Sequence, residues 1–245
     1  MASNASDQAF NPQNLMVVMT TYAPKGEVGV QRSRYAYQSV ESLIRNLIVP
    51  HNVRLHISDD GSYDQDYIHE LASWASERWL TRSTMTNSLH QGIGASLNRS
   101  LAKTVDDLWM YTTDDWLLTA PLDVTPAIKL LTRYGYDYVR LGPIHPHLQC
   151  STEFNTDVGW WLRIHQRWGG FNFATRPFIA SRYFYQEVGP FKEMVDSYEC
   201  EVDYSERVNM KESLKLGCLP DIGGACWQHI GEVNVGGPAK DFIHA

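Results

Sequence analysis

The sequence lacks the features that assign a chain to a membrane or to the secretory pathway. No run approaches the ~18 consecutive apolar residues that a membrane-spanning helix needs. The first residues, 1–14, are polar and have neither the basic nor the apolar region of a secretory signal peptide. We interpret them as a flexible N-terminal extension, and we expect a cytoplasmic protein.

Cysteine is scarce and irregularly spaced. The chain has four cysteines, Cys150, Cys200, Cys218 and Cys226, and none of them forms a CxxC pair. Structural zinc sites usually contain close pairs of ligands, and small disulfide-stabilised domains contain many more cysteines for their length. We therefore expect reduced thiols, as in a cytosolic protein, and no zinc site.

Positive charge is also in deficit. The 21 Lys and Arg residues are outnumbered by 28 Asp and Glu residues, which gives a formal net charge of -7. A chain of this charge does not resemble a non-specific nucleic-acid-binding protein, although a local basic face remains possible. With 245 residues, 43% of them hydrophobic, it is long enough to bury a core of its own.

Two kinds of apolar pattern alternate up to residue 141. Short apolar runs predict strands, and apolar residues three and four positions apart predict amphipathic helices. The predicted strands lie within 15–22, 53–62, 106–116 and 136–141, and the predicted helices within 33–47, 67–80, 88–103 and 120–135. Strands that alternate with helices indicate an α/β fold whose parallel sheet is covered on both faces.

After Gly142 the alternation stops. Residues 142–177 are rich in Trp, His, Arg and Gly and show no clean period, which is typical of an irregular functional segment. A strand and a short helix then end at Gly189. An amphipathic helix is predicted from Glu199 to a cap at Gly217, and a last strand to His229.

Three predicted strands end in polar residues. These endings are Thr20–Thr21–Tyr22, Asp59–Asp60–Gly61–Ser62 and Thr113–Asp114–Asp115. The carboxyl ends of parallel strands meet at one edge of a sheet, where α/β proteins bind their ligands. Each ending could be a separate solvated turn, but three at one edge predict a binding site.

The order of these motifs resembles the family 2-like glycosyltransferases of the GT-A fold, over residues 15–232. The motifs are the three strand endings, the loop HQGIGASLN, the segments RPF and VGPF, the cluster ECEVDYSER and the late HIG. The resemblance implies a mostly parallel central sheet flanked by helices, with an irregular acceptor-side region. It also implies a nucleotide-sugar half (15–118), an acceptor half (119–232) and a C-terminal tail (233–245).

The resemblance places the nucleotide at the first two strand ends. The implied contacts are Thr20, Thr21, Tyr22, Asp59 and Asp60, with Asp114 near the ribose. A carboxylate at the base of a pocket can accept a hydrogen bond from a nucleobase imide. The alternative is that residues 59–62 form only a local turn. Gly92, in a loop that is not a P-loop, lines the nucleotide or forms a packing turn.

The resemblance also implies a metal site. The Asp-x-Asp motif of the family aligns with Thr113, Asp114 and Asp115, so a threonine replaces the first acid. Asp115 is then the expected ligand and His229, in QHIGE, the second. Carboxylate and imidazole ligands suit Mn²⁺ or Mg²⁺. The alternative for His229 is a local hydrogen bond at a turn.

An inverting transfer needs a base that takes the proton of the acceptor hydroxyl. The family places this base in an acidic cluster before a helix that contains an arginine. Counting back from Arg207, Glu201 matches the base and Asp203 the trailing acid, while Glu199 could take the role instead. The alternative is that all three acids simply favour a helix N-terminus.

The tryptophans of the irregular segment suggest the acceptor site. Trp160, Trp161, Arg163 and Trp168 combine aromatic faces, which stack on sugars, with a cation that binds phosphates. A glycan or glycolipid acceptor is favoured over a nucleic-acid base, which the same residues could also stack. The alternative is core packing with solvated charge.

These expectations describe a metal-dependent, inverting glycosyltransferase that uses a UDP- or dTDP-type sugar donor. Two other functions remain open. A sugar nucleotidyltransferase also uses an α/β sheet and Mg²⁺, but it would need a basic glycine-rich loop directly after the first strand. A catalytically silent sugar-nucleotide-binding module remains possible because Thr113 replaces an acid.

Overall fold

The computed structural model describes residues 14–50, 52–79, 83–86, 90–103, 106–142, 148–166, 172–219 and 226–231. The strands in this part are β1 (Asn14–Thr21), β2 (Leu47–Ile48), β3 (Asn52–Asp59), β4 (Ser83–Thr86), β5 (Leu108–Thr113), β6 (Trp116–Leu118), β7 (Leu122–Asp123), β8 (Tyr138–Arg140), β9 (Cys150–Asn155), β10 (Gly159–Ile164), β11 (Phe178–Ser181), β12 (Leu216–Cys218) and β13 (Trp227–His229). The helices are α1 (Glu27–Asn46), α2 (Asp66–Trp79), α3 (Ile93–Lys103), α4 (Thr125–Arg133), α5 (Arg182–Val188) and α6 (Ser197–Asn209).

One large sheet organises the described residues. Its strand order is β4-β3-β1-β5-β11-β8-β12-β10-β9. The pairs β4–β3, β3–β1, β1–β5 and β8–β12 are parallel, and β11 and β10 run antiparallel to their neighbours. Following these directions across the sheet, only β11 and β10 oppose the other strands. The predicted α/β fold with a mostly parallel central sheet is therefore confirmed.

Strand β1 lies at the centre of the packing because it is apolar on both faces. Leu15, Val17 and Met19 pack into the core beneath α1, and Met16 and Val18 pack into a second core beneath α3 and α6. A continuous apolar run is the expected sequence of a parallel strand covered on both sides. Each fully buried side chain of this size contributes about 1.5–3 kcal/mol of transfer free energy.

The strand register brings the three polar endings together. Thr20 pairs with Thr113 of β5, and Thr21 pairs with Asp59 of β3. Residue 114 follows directly, and its backbone N–H donates to the Thr20 carbonyl at 3.1 Å. The predicted polar edge is therefore a single surface at the carboxyl ends of three neighbouring strands.

The helix predicted to run from Glu199 to a cap at Gly217 ends earlier in the structure. Helix α6 begins after Asp196, whose side chain accepts from the Glu199 backbone N–H, and it ends at Asn209. Gly217 lies in β12, where a Cβ atom would meet the Tyr136 ring at 3.1 Å. The glycine is required by close packing against that ring, which a search for helix caps does not detect.

Two further boundaries differ from the prediction. Helix α1 begins at Glu27, ahead of the predicted residue 33, so Arg32 lies within it. The segment predicted to be irregular contains the hairpin β9–β10, in which Gly159 pairs with Asn155 and Ile164 with Cys150. Aromatic and charged residues on both faces of the hairpin hide its period of two. No helix in the described ranges is long and apolar enough to cross a membrane.

Candidate active site

The two adjacent carboxylates lie at the end of β5 in different surroundings. The Asp114 side chain is completely buried, whereas 18% of the Asp115 side chain is exposed. The Asp115 carbonyl accepts a hydrogen bond from the Ile230 backbone N–H at 2.8 Å. Asp115 is therefore the member of the pair that can meet a ligand.

Arg32 supplies the positive charge that the carboxylates require. Its Nη1 atom lies 3.0 Å from Asp115 Oδ2, and its Nη2 atom pairs with Asp114 Oδ1. Arg32 was not among the residues predicted from the sequence. The available signal was an arginine in the helix that follows β1, since that helix begins at the same edge of the sheet.

The two carboxyl groups have opposite pKa shifts. Burial raises the pKa of Asp114 to about 7, although the ion pair with Arg32 opposes the shift. Burial also acts to raise the pKa of Asp115, but hydrogen bonding to His229 and the charge of Arg32 outweigh it, so this pKa is lowered. At neutral pH Asp115 is therefore ionised, whereas Asp114 is close to the pH at which it takes up a proton, despite its contact with Arg32.

Asp115 and His229 are brought together as the sequence predicts. Strand β13 pairs with β6 so that His229 lies opposite Trp116, and His229 Nε2 is 3.4 Å from Asp115 Oδ2. Two ligands of one divalent ion are separated by roughly 3–3.5 Å when each metal–ligand distance is about 2.1 Å. The separation of this pair fits a metal ion, although the described residues contain no group of three or more His, Cys, Asp or Glu side chains that could hold one.

Thr113 has a specific contact in place of the missing acid. Its hydroxyl donates to Asp115 Oδ1, the oxygen that faces away from His229. This hydrogen bond favours the ionised carboxylate and fixes its orientation. A Cβ atom on Gly231 would lie 2.6 Å from Asp115 Oδ2, so the HIG glycine leaves room for the carboxylate.

Asp59 and Asp60 differ in what they bind. Asp59 Oδ2 accepts from the backbone N–H groups of Gly61 and Ser62, at 3.2 and 3.0 Å, which is the local turn of the alternative interpretation. Asp60 accepts from the N–H groups of Gln91 and Gly92 at 3.0 and 2.8 Å. Asp60 therefore holds the loop that precedes α3.

The end of β1 contributes two threonines and an aromatic surface. The Thr21 hydroxyl donates to Asp114 Oδ2 at 2.8 Å, and the Thr20 hydroxyl lies 2.8 Å from the Tyr111 hydroxyl. The Tyr22 ring stacks on His90, with a centroid distance of 4.1 Å and an interplanar angle of 14°. His90 Nδ1 is 2.8 Å from Asp60 Oδ2, which joins this stack to the carboxylate.

Of the three acids near the start of α6, Glu201 faces the interior. Its Oε1 atom accepts from the Thr175 backbone N–H at 2.8 Å and from the Thr175 hydroxyl. Asp203 is paired with Arg207 at 2.7 Å, one turn along the helix. Glu199 is exposed and paired with Lys192. Asp203 and Glu199 are therefore engaged in ion pairs with basic residues, as expected of acids with only a structural role in the helix.

Glu201 and Asp115 lie on the same side of the second core. Burial raises the pKa of the Tyr111 hydroxyl, and the negative charges of Asp115 and Glu201 raise it further. Tyr111 is in β5 and its hydroxyl contacts Thr20. The two carboxylates therefore lie within electrostatic range of one buried hydroxyl at the polar edge.

The predicted acceptor residues have different environments. Trp160 is 61% exposed, and its ring centroid lies 4.6 Å from that of Phe154. Trp161 is only 5% exposed, and its Nε1 atom donates to the Tyr136 hydroxyl at 2.8 Å. Trp161 thus belongs to the core, as the packing alternative has it, and its prediction as a sugar-stacking residue is wrong. Arg163 lies 3.7 Å from Glu153, and Trp168 is outside the described residues.

Comparison with solved structures shows which fold this is. No family model matches the chain, and no curated protein matches it. The structure of S. aureus TarS 1-349 in complex with UDP-GlcNAc matches with a TM-score of 0.58 and 12% identity, over 91% of this chain and 62% of that one. The chain has the GT-A glycosyltransferase fold.

Two other solved structures with this fold give similar values. GalNAc-T7 with UDP, GalNAc and Mn²⁺ has a TM-score of 0.54 at 13% identity, over 86% of this chain and 43% of that one. The mannosyltransferase PcManGT from Pyrobaculum calidifontis, in complex with GDP-Man and Mn²⁺, has a TM-score of 0.56 at 14% identity. The match covers 87% of this chain and 56% of that one. The chain thus spans less than two thirds of the length of each of these structures.

Proposed function

We propose that the protein is a glycosyltransferase that moves a sugar from a nucleotide diphosphate donor to a hydroxyl acceptor. The observation that carries the proposal is the group of Arg32, Asp115 and His229 at the carboxyl edge of a GT-A sheet. Three solved structures with the fold hold UDP-GlcNAc, UDP with Mn²⁺, or GDP-Man with Mn²⁺. Their ligands support a sugar nucleotide as the donor.

The nucleobase site that we infer is the surface formed by Tyr22 and His90 beside Asp60. A stacked aromatic pair offers a face to any base, and the carboxylate can accept from an N–H donor such as the imide of uracil or thymine. Asp60 already accepts two backbone N–H groups, so the base imide would displace the exposed His90 ring from it. This arrangement supports UDP or dTDP as the nucleotide.

Asp115 and His229 would hold the divalent ion, which we infer to be Mn²⁺ or Mg²⁺. Two protein ligands leave the remaining positions for substrate oxygens and water, as is usual when an ion accompanies phosphates. When bound, the ion would neutralise charge that develops on the diphosphate leaving group. The Thr113 hydroxyl and the exposed edge of His229 keep the Asp115 carboxylate ionised and oriented.

Glu201 is the base that the geometry favours. It faces the interior, and its contacts with Thr175 fix one carboxylate oxygen while the other remains available. In the proposed step the acceptor oxygen attacks the anomeric carbon, its proton passes to Glu201, and the bond to the diphosphate breaks. Attack opposite the leaving group inverts the anomeric configuration.

Slow hydrolysis of sugar nucleotides tests the donor proposal without an acceptor. UDP-, dTDP-, GDP- and ADP-sugars are incubated with the protein and Mn²⁺, and release of the nucleotide is measured by chromatography. We expect UDP- and dTDP-sugars to be hydrolysed and the other two to react more slowly. Equal hydrolysis of all four donors would contradict the base site, and pyrophosphate-dependent formation of nucleoside triphosphate would indicate a nucleotidyltransferase.

A silent nucleotide-binding module is the second candidate. It is favoured by the contact of Arg32 with both carboxylates, since a resident guanidinium can replace a metal ion opposite a diphosphate. Nucleotide binding that is unaffected by EDTA, together with the absence of hydrolysis and transfer, would support it. Metal-dependent hydrolysis would exclude it.

A further inference from the structure

A second arginine cluster lies away from the carboxylate pair, beneath α6. Arg140, at the carboxyl end of β8, is completely buried and pairs across the sheet with Phe178 of β11. Its Nη2 atom donates to the Asn172 carbonyl at a long 3.4 Å. Among the described residues its Nε and Nη1 atoms have no hydrogen-bond partner.

Such an arginine is costly unless a ligand uses it. Buried donors without a partner lose their hydration without compensation, and the penalty is larger for a charged group. The Tyr138 hydroxyl, two residues earlier on the same face of β8, is buried beside Arg140, whose charge and hydrogen bonding oppose the rise that burial causes in the pKa of this hydroxyl. The Nε and Nη1 donors of Arg140 therefore remain for a polar group that the described residues do not supply.

Arg176 adds a second positive charge. It lies two residues before Phe178, so it extends the β11 side of the same face. Burial lowers the pKa of Arg176, and repulsion from Arg140 lowers it further, while Glu201 acts in the opposite direction. Two guanidinium groups and one carboxylate thus lie within electrostatic range of one another.

Glu201, the inferred base, lies within electrostatic range of Arg176 and is engaged by Thr175 through one oxygen. The two guanidinium groups therefore lie close to the carboxylate that would take the acceptor proton.

We propose that Arg140, supported by Arg176, binds an anionic group of the acceptor and thereby holds the acceptor hydroxyl near Glu201. The proposal rests on the glycosyltransferase function proposed above. A guanidinium group donates strong hydrogen bonds to phosphate or carboxylate oxygens, and the Nε and Nη1 atoms of Arg140, which lie on different edges of the group, have no partner among the described residues. The acceptor class is then a phosphorylated or acidic polyol or glycan, and a neutral sugar would bind poorly.

The test measures anion binding when the donor site is full. Wild type, Arg140→Met, Arg140→Lys and the surface control Arg133→Met are first saturated with UDP and Mn²⁺. Glycerol 3-phosphate, glycerate and glycerol are then titrated by calorimetry. We expect wild type and Arg133→Met to bind an anion and not glycerol, with Arg140→Met about 10- to 100-fold weaker. The phosphate and carboxylate probes separate the two possible anions.

Thermal stability distinguishes a binding role from a structural one. Methionine fills a similar volume without unpaired donors, so Arg140→Met should melt at the same temperature as wild type or higher. Anion binding equal to wild type in this variant, or a lower Tm with unchanged binding, would overturn the proposal. If the wild-type protein does not bind UDP, the result would instead count against the proposed glycosyltransferase function and, with it, the acceptor assignment.

Discussion

The part of the sheet edge where we propose that the nucleotide binds and the part where we propose that the acceptor binds differ in how their charges are paired. At the end of β5, Arg32 contacts both carboxylates, and Asp60 is held by backbone N–H groups. Beneath α6, Arg140 has two donors without partners among the described residues. The first part has its charges paired in the absence of a ligand, whereas the second leaves two donors of Arg140 for a ligand to pair. Preorganisation would favour binding at the first part, where we propose that the sugar nucleotide binds.

The largest effect that we expect is at Asp115. Asp115→Asn keeps the volume and removes the charge opposite the inferred ion, which should cost several kcal/mol of charge stabilisation. Mn²⁺-dependent UDP binding should be lost in calorimetry while circular dichroism is unchanged. Wild-type turnover that persists in excess chelator would refute the metal proposal.

Glu201→Gln should reduce sugar transfer and leave nucleotide binding unchanged. Glutamine can still accept from Thr175 but cannot take a proton, so transfer should fall by about 10²–10⁴-fold. UDP binding should remain near the wild-type value, and the product of the wild-type enzyme should show an inverted linkage by NMR. The matched variants Glu199→Gln and Asp203→Asn should retain transfer, and a greater loss in either would move the role of base to that residue.

Arg32→Met should remove the ion pairs with Asp114 and Asp115. Removing one partner of a buried ion pair typically costs about 3–5 kcal/mol of unfolding free energy. Arg45→Met, an exposed position on the same helix, should change it by less than about 0.5 kcal/mol. Urea denaturation of both variants measures the difference, and equal stabilities would show that Arg32 is not needed to hold the carboxylates.

The same variant should also have a distinctive pH dependence. Without the guanidinium, the pKa of Asp114, which burial already raises to about 7, should rise further. A carboxyl with a raised pKa in the folded state stabilises the fold below its unfolded pKa, and this contribution is lost as the pH rises through the folded pKa. Arg32→Met should therefore be less stable at about pH 8 than at about pH 5, relative to wild type.

The smallest functional effect that we expect separates two neighbouring tryptophans. Trp161→Ala removes a buried ring and should cost about 3–5 kcal/mol of unfolding free energy. Trp160→Ala should change stability by less than about 0.5 kcal/mol. If Trp160 stacks on an acceptor, its loss should raise the acceptor KM several-fold with kcat unchanged. An unchanged KM would leave Trp160 without a role in acceptor binding.

The sequence predicted the elements whose apolar pattern is simple and missed those whose partners are distant. The strands β1 and β5 were found because each is an apolar run with a polar end, and β3 because Val53, Leu55 and Ile57 alternate with polar residues. Helix α1 was predicted to start too late, because the polar first turns around Arg32 carry no apolar period. The contact of Arg32 with Asp114 joins residues 82 positions apart, and no local pattern encodes it.

The acceptor half was harder to predict for a physical reason. The β9–β10 hairpin has an alternation that is obscured by large aromatic residues on both faces. Trp160 and Trp161 are adjacent and chemically identical, and only the fold decides which of them packs beneath Tyr136. The proximity of Asp115 and His229 was easier to predict, since His229 lies in a short motif at the end of a strand, but their role as metal ligands stays a prediction.

The position of β5 has a consequence for how the protein folds. It pairs on one side with β1, where Leu15 meets Leu108, and on the other with β11, where Ile179 meets Met110. Both partners are distant in the chain, so β5 gains all of its backbone hydrogen bonds only after two large loops have closed. Proteins rich in such long-range contacts fold slowly, within roughly milliseconds to seconds. Because Asp114 follows β5 directly, we expect its carboxylate to stay hydrated until this ladder forms, so the cost of burying it should arise late in folding.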